Sequence, residues 1–84
     1  SNSPPWGFSL FAGELDNRFA SLLGGYDRSG FLVGFILYHA LGREAHILKF
    51  AVRESHRGTG KGREILRGAL DRMRGVGIRW VTLE

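Results

Sequence analysis

The chain has 84 residues, of which 43% are hydrophobic, with no cysteine and a formal net charge of +4. These values predict one soluble domain with a thin core, and they exclude a disordered chain, a disulfide framework, thiolate metal sites and a membrane span of about eighteen apolar residues. The charge is concentrated in residues 43–84, where there are ten basic and five acidic residues, so we expect an anionic partner: nucleic acid, an acidic membrane or a phosphorylated small molecule.

The first third of the chain predicts one helix and one strand. We interpret Ser1–Ser3 as a cloning remnant or a processed end, and residues 4–84 as a single domain. After a proline pair, apolar residues follow at i, i+3, i+4 and i+7, which predicts a short helix over Ser9–Asn17. Residues 19–26 fit either an extension of that helix or a strand, and their Gly-Gly pair favours the strand.

Two further strands, a helix and a last strand follow. Phe31–His39 and His46–Val52 are rich in branched and aromatic residues, and the short turns between them predict an antiparallel three-strand meander with residues 19–26. Apolar residues of Lys61–Arg74 cluster within about 140° of a helical wheel, which predicts an amphipathic crossover helix. Two glycines end it, and Ile78–Leu83 should form a strand parallel to the one before the helix. The predicted fold class is therefore α+β.

A glycine-rich loop lies between a predicted strand and the start of the predicted helix. Its sequence is Arg57-Gly58-Thr59-Gly60-Lys61-Gly62. The first amides of a helix lack partners, glycines let a ligand approach the backbone, and the two cations add full charges. This chemistry fits a phosphate or pyrophosphate. An isolated Gly-x-Gly is more often a plain turn, but the combined signals favour an anion site, and the spacing fits neither a Walker loop nor the dinucleotide fingerprint.

The stretch AVRESHRGTGKGREIL resembles the signature of the Gcn5-related N-acetyltransferases (GNAT), which has Arg or Gln, two residues, Gly, one residue, and Gly or Ala. Arg57, Gly60 and Gly62 supply that pattern. SPPWGFSLFAGEL, LVGFILY, EAHILKFAV and GIRWVTLE are similar in order and spacing to the ribosomal-protein-alanine N-acetyltransferase branch. The resemblance implies the central part of a GNAT fold, truncated at both ends. It also implies a cytoplasmic enzyme that uses acetyl-CoA to acetylate a protein N-terminus, specifically an alanine on a ribosomal protein.

The resemblance also implies roles for individual residues. It assigns the pyrophosphate of acetyl-CoA to Arg57, Gly58, Thr59, Gly60, Lys61, Gly62 and Arg63, and the pantetheine arm to Phe50, Ala51 and Val52. Glu84 matches the general base of the branch, and His46 is the second candidate because an imidazole on the strand before the loop suits that work. Without a catalytic role, Glu84 would be a solvated glutamate at the end of a strand, and His46 would be a structural histidine at a sheet edge. The family's general-acid tyrosine lies beyond Glu84, and neither Tyr26 nor Tyr38 matches it.

Two other functions stay open. A nucleic-acid-binding module would use Arg63, Arg67 and Arg74 on one side of the helix, although adjacent acidic residues favour an ordinary solvated surface. A catalytically inactive fragment would oligomerise through exposed sheet edges, and a homodimer is then expected. Trp6 and Phe8 fall near the family's substrate-side segment, but aromatic residues at that spacing are more often core.

Overall fold

The computed structural model describes residues 9–14 and 20–83. Those residues form β1 (Ser9–Glu14), β2 (Ala20–Tyr26), β3 (Leu32–Leu41), β4 (Glu44–Val52), a 3₁₀ turn (Glu54–His56), α1 (Lys61–Gly75) and β5 (Trp80–Leu83). The five strands make one sheet with neighbours in chain order. Strands β1 to β4 are antiparallel, and β5 runs parallel to β4. None of the helical segments in this part of the chain has the length and apolar character to cross a bilayer.

The predicted α+β class, with a meander, a crossover helix and a final parallel strand, is confirmed. Helix α1 begins at Lys61, as its apolar period predicts, and ends at Gly75. The last strand is shorter than predicted, since its ladder begins at Trp80. Parallel neighbours cannot be joined by a tight turn, so α1 supplies the connection from β4 to β5.

The predicted N-terminal helix over Ser9–Asn17 is wrong in its described part. Ser9–Glu14 is instead strand β1, and every one of its residues pairs with β2. Residues 15–17 lie outside the described positions. A short helix containing Gly13 is marginal in water, whereas a strand at this place adds a ladder of hydrogen bonds to an existing sheet. Pairing with a distant segment therefore outweighs the local helical period.

The hydrophobic core lies between α1 and one face of the sheet. From α1, Ile65, Ala69 and Met73 are buried, and their spacing of four residues keeps them on one side of the helix. Strands β2, β3 and β4 contribute Leu23, Val33, Ile36, Tyr38, Ala45 and Ile47. Full burial of one large aliphatic side chain contributes about 1.5–3 kcal/mol. This packing holds the first turn of α1 against the end of β4.

A β-bulge divides β4 into two halves. Ile47 pairs with Tyr38 and Lys49 pairs with Leu37, so Leu48 is an extra residue without a partner on β3. A bulge bends its strand and changes which residues face each side of the sheet. The bend in β4 therefore lies between its pairing with β5 and the segment that leads into the glycine loop.

The second half of β4 has one open edge. The parallel ladder with β5 ends at the pair Ile47 and Leu83. Residues 48–52 pair with β3 on one side, apart from the bulge, and have no strand partner on the other side in the described residues. An open strand edge presents backbone N–H and C=O groups that another extended chain can bind.

Candidate functional site

The loop before α1 is held in its shape by two glycines in the left-handed region. Gly58 has a φ of 78° and Gly60 a φ of 86°, a conformation that costs other residues about 1–2 kcal/mol. Gly60 is also the N-cap of α1, and its carbonyl accepts the first helical hydrogen bond, from the Glu64 N–H, at 3.1 Å. No side chain caps the helix. The loop therefore leads into α1 and leaves the first backbone amides of the helix without a side-chain cap.

The amides of this loop are unpaired. From Gly58 to Arg63, no backbone N–H has a protein acceptor within the described parts of the chain. The last three of these groups also carry the positive end of the helix dipole, equivalent to roughly half a charge. A row of donors with no acceptor is costly unless water or a ligand binds it, so this helix start has the chemistry of an anion site.

Gly62 serves a different purpose, which is close packing. A Cβ built on Gly62 would lie 3.0 Å from Cγ2 of Val52 and 3.8 Å from Cζ of Phe50. An added Cβ at Gly58 or Gly60 would meet nothing within 4 Å. Gly62 therefore lets the first turn of α1 lie directly on the end of β4, while the other two glycines permit the backbone conformation.

Two concavities border the loop. One, of about 340 Å³, is lined by Val52, His56, Arg57, Gly58, Gly60, Gly62 and Arg63. The other, also about 340 Å³, is lined by Thr59, Gly60, Lys61 and Glu64. The structure thus brings most of the predicted pyrophosphate residues to one cavity but places Thr59 and Lys61 on the other side of Gly60. Arg57 and Arg63 are the two cations at the first cavity.

Hydrogen bonds anchor Arg57 and Thr59 within the loop. The Arg57 Nε donates to the Val52 carbonyl at 3.2 Å. This contact orients the guanidinium at the cavity. It also occupies the carbonyl of Val52, a residue of the strand predicted to hold pantetheine. The Thr59 hydroxyl donates to the His56 carbonyl at 2.5 Å, so Thr59 stabilises the turn from the side opposite the first cavity.

The predicted pantetheine residues lie on the open half of β4. The side chain of Phe50 is 39% exposed and faces the first turn of α1 near Gly62. Ala51 and Val52 are half-buried and line a further cavity of about 270 Å³ with the start of β3. Phe50 and Val52 border the first turn of α1, so the open edge of β4 leads to the loop with the unpaired amides.

Of the two predicted catalytic residues, only His46 is described. It is exposed on β4, six residues before the loop-facing Val52, which is about 20 Å along the strand. Its Nδ1 shares a hydrogen bond with the Thr82 hydroxyl of β5. His46 is therefore not part of the anion site. Glu84, like Trp6 and Phe8, lies outside the described residues.

The alternative basic surface is a shallow groove on α1. Its lining includes Arg63, Arg67 and Arg74 together with Leu66, Leu70 and Asp71. An acidic residue within the stripe disfavours the binding of a phosphate backbone. Within the described residues there is also no group of three or more metal-ligating side chains.

Three features of the site were missed from the sequence. They are the bulge at Leu48, the hydrogen bond between Thr82 and His46, and a contact between His56 and Asp27. Each joins elements that are distant in sequence or depends on strand register. Only the turn chemistry around Asp27 gave a local signal, because Asp and Gly at that spacing are typical of a turn.

Comparison with solved structures identifies the fold. The ribosomal-protein-alanine N-acetyltransferase from Brucella melitensis biovar Abortus 2308 has a TM-score of 0.80 and 17% identity, over 92% of this chain and 79% of that chain. An aminoglycoside acetyltransferase from an uncultured soil metagenomic sample has a TM-score of 0.75 and 18% identity, over 83% and 49%. Glucosamine-6-phosphate N-acetyltransferase from Arabidopsis thaliana has a TM-score of 0.72 and 16% identity, over 79% and 50%. The chain thus spans about half the length of the last two.

Sequence comparison identifies the family. No curated protein matched the sequence. The family model described as acetyltransferase (GNAT) family matches residues 2–84. Enzymes of that family use acetyl-CoA as the acetyl donor, and the unpaired amides and the two arginines at the loop fit its diphosphate. From the match along the chain and the site at the start of α1, we conclude that this protein belongs to the acetyltransferase (GNAT) family.

Proposed function

We propose that this chain binds acetyl-CoA at the loop before α1 and belongs to an enzyme that transfers the acetyl group to an amine. The observation that carries the proposal is the row of unpaired N–H groups from Gly58 to Arg63, flanked by two arginines. Amides at a helix start and arginine guanidinium groups both bind phosphate oxygens strongly. The open edge of β4 then offers backbone groups to an extended arm that leaves the diphosphate.

Acetyl transfer also needs a group that takes a proton from the attacking amine. The bound coenzyme supplies the acetyl thioester, and its thiol leaves as the new amide bond forms. We propose Glu84 as the base, on the resemblance, with His46 as the alternative. As a base, His46 would carry its ring hydrogen on Nδ1, donated to the Thr82 hydroxyl, and would accept the proton on Nε2. The base should be the residue whose change to glutamine lowers kcat much more than coenzyme affinity.

The acceptor is the finer part of the proposal. Likeness to a ribosomal-protein-alanine N-acetyltransferase supports a protein N-terminal alanine, which would place the protein in the cytoplasm. Other structures of the same fold are named for an aminoglycoside and a sugar phosphate. A peptide beginning with alanine, an aminoglycoside and glucosamine-6-phosphate should therefore be compared as acceptors by measuring thiol release from acetyl-CoA. Turnover with the peptide alone supports the proposed acceptor.

Self-association is a further proposal that the surface supports. All four residues of β5 are exposed, including Trp80, Val81 and Leu83, and the outer edge of this strand has no partner among the described residues. Exposed apolar strand edges pair readily with another chain. A homodimer should appear in sedimentation at micromolar concentration. A monomer at every concentration would contradict it.

The binding proposal is tested with two matched glycine variants. Gly60→Glu places a carboxylate at the anion site, and Gly42→Glu makes the same change at a left-handed glycine in the β3–β4 turn, where φ is 62°. Wild-type protein and Gly42→Glu should be stabilised by CoA and acetyl-CoA in a thermal-shift titration, by about 2.7 kcal/mol at a hundred times Kd. Gly60→Glu should lose this response.

Two further ligands separate the competing functions in the same titration. NAD tests a dinucleotide site, and a short DNA duplex tests the nucleic-acid alternative. Stabilisation by DNA but not by CoA would overturn the proposal. Equal loss of the CoA response in both glycine variants would show that backbone strain, rather than the anion site, causes the loss.

A further inference from the structure

The segment between β4 and the loop before α1 is tied to the start of β3 and to the turn that precedes it. The Arg53 N–H donates to the Val33 carbonyl at 2.6 Å, and Arg53 Nε donates to the Leu32 carbonyl at 2.9 Å. Next to these bonds, Nε2 of His56 lies 3.6 Å from Oδ2 of Asp27. The two side chains are 20% and 21% exposed, so water screens this contact only in part.

Asp27 is itself held rigidly. Its Oδ1 accepts hydrogen bonds from the N–H groups of Ser29 at 2.9 Å and Phe31 at 3.0 Å, and its backbone carbonyl accepts one from the Gly30 N–H at 3.0 Å. The turn therefore uses one carboxylate oxygen for its own structure. The other oxygen is directed at His56.

His56 connects this fixed carboxylate to the loop. Its N–H donates to the Arg53 carbonyl at 2.8 Å, and its own carbonyl accepts the Thr59 hydroxyl at 2.5 Å. Its Nδ1 lies 3.1 Å from the Ser55 hydroxyl. The side chain also lines the cavity that contains Gly58 and Gly60. A displacement of His56 would therefore move the residues that present the unpaired amides.

We propose that Asp27 is a positioning residue for the diphosphate site and acts through His56 without touching the coenzyme. This rests on the proposed binding of acetyl-CoA. Oδ2 of Asp27 faces Nε2 of the His56 ring, while Oδ1 is fixed by the turn, so the carboxylate holds the ring in one position beside the cavity.

The test compares Asp27→Asn with Asp71→Asn. Asparagine keeps an oxygen that can accept from Ser29 and Phe31, so Asp27→Asn retains the turn but removes the charge facing His56. Asp71→Asn makes the same charge change at an exposed position of α1. Affinity for CoA, measured by calorimetry at neutral pH, should fall about threefold for Asp27→Asn, because a partly exposed charged contact contributes modestly. It should stay unchanged for Asp71→Asn.

Each comparison is made with wild-type protein under the same conditions. His56→Gln should give the same loss, and the double variant should bind no more weakly than either single variant. In the absence of ligand, NMR order parameters of the Gly58 and Gly60 amides should fall in Asp27→Asn but not in Asp71→Asn.

The outcomes separate this inference from the proposed function. If wild-type protein does not bind CoA, the proposed function fails, and the order parameters still decide whether Asp27 orders the loop. If CoA binds and Asp27→Asn behaves like Asp71→Asn in affinity and in order parameters, the positioning role is overturned. Additive losses in the double variant would also overturn it.

Discussion

The β3–β4 turn and the loop before α1 both contain glycine in the left-handed region, and of these two only the loop has the features of a binding site. In the β3–β4 turn, Gly42 has a φ of 62°, and in the loop before α1, Gly58 and Gly60 have φ values of 78° and 86°. An added Cβ would meet nothing within 4 Å at any of them. By backbone shape and space alone, these glycines are equivalent.

The difference lies in what surrounds the glycines. The turn at Gly42 joins two strands whose backbone groups pair with each other up to Leu41 and Glu44. The loop at Gly60 ends at a helix start, where the amides have no acceptor in the described residues, and two arginines line the same cavity. A glycine-rich stretch thus becomes an anion site through unpaired donors and nearby charge, rather than through glycine conformation.

The largest expected effect compares a steric contact at another glycine, Gly34, with the backbone conformation at Gly42. A Cβ on Gly34, which pairs with Val52, would lie 2.5 Å from the Ala51 carbonyl oxygen and 3.1 Å from Cδ1 of Ile65. Backbone cannot yield as a flexible side chain can, so Gly34→Ala should lower the free energy of unfolding by about 3 kcal/mol. Gly42→Ala should cost only about 1–2 kcal/mol, from its φ. Urea unfolding measures both, and equal losses would contradict the distinction.

The next prediction tests the role of positive charge at the loop cavity. Arg57→Gln removes a guanidinium held at the cavity by the Val52 carbonyl, and Arg72→Gln removes an exposed one from the last turn of α1. CoA affinity should fall about tenfold for Arg57→Gln, because hydrogen bonds between charged groups are the stronger kind. It should change little for Arg72→Gln. A smaller dependence of affinity on salt should accompany only the first change.

The smallest effect concerns the close contact at Gly62. Gly62→Ala improves helix propensity by about 1 kcal/mol, which should offset the contact with Cγ2 of Val52. The stability should therefore stay nearly constant, while the shifted helix start weakens CoA affinity about threefold, or roughly 0.7 kcal/mol. Adding Val52→Ala removes the contacting methyl group and should restore the affinity. Failure of this rescue would mean that the added methyl group blocks the ligand itself.

Much of the fold was predictable because it depends on neighbouring residues. The spacing of Ile65, Ala69 and Met73 predicted α1 and its buried side, and the Asp, Ser and Gly of residues 27–30 are typical of the turn found there. The loop was predictable as a candidate anion site because its glycines and cations are adjacent in sequence. The assignment of every loop residue to the pyrophosphate stays a prediction, and only the structure shows that Thr59 and Lys61 border a second cavity, which shares Gly60 with the first.

The N-terminal strand shows where local patterns fail. Ser9–Glu14 has a helical arrangement of apolar residues, yet it pairs along its whole length with β2. The bulge at Leu48 had no local signal either, although it separates the half of β4 that pairs with β5 from the half that leads to the loop. Strand pairing and register depend on which segments meet, so a pattern within one segment does not contain them.

The sequence by itself determined the amphipathic helix, the strands of the meander, the glycine loop and the concentration of positive charge beside it. These are properties of residues within a few positions of one another. Only the tertiary structure decided that Ser9–Glu14 is a strand, that Gly62 packs on Val52, and that Asp27 reaches His56. Those outcomes depend on the distance between segments far apart in the chain, which is set when α1 packs on the sheet and buries the shared core.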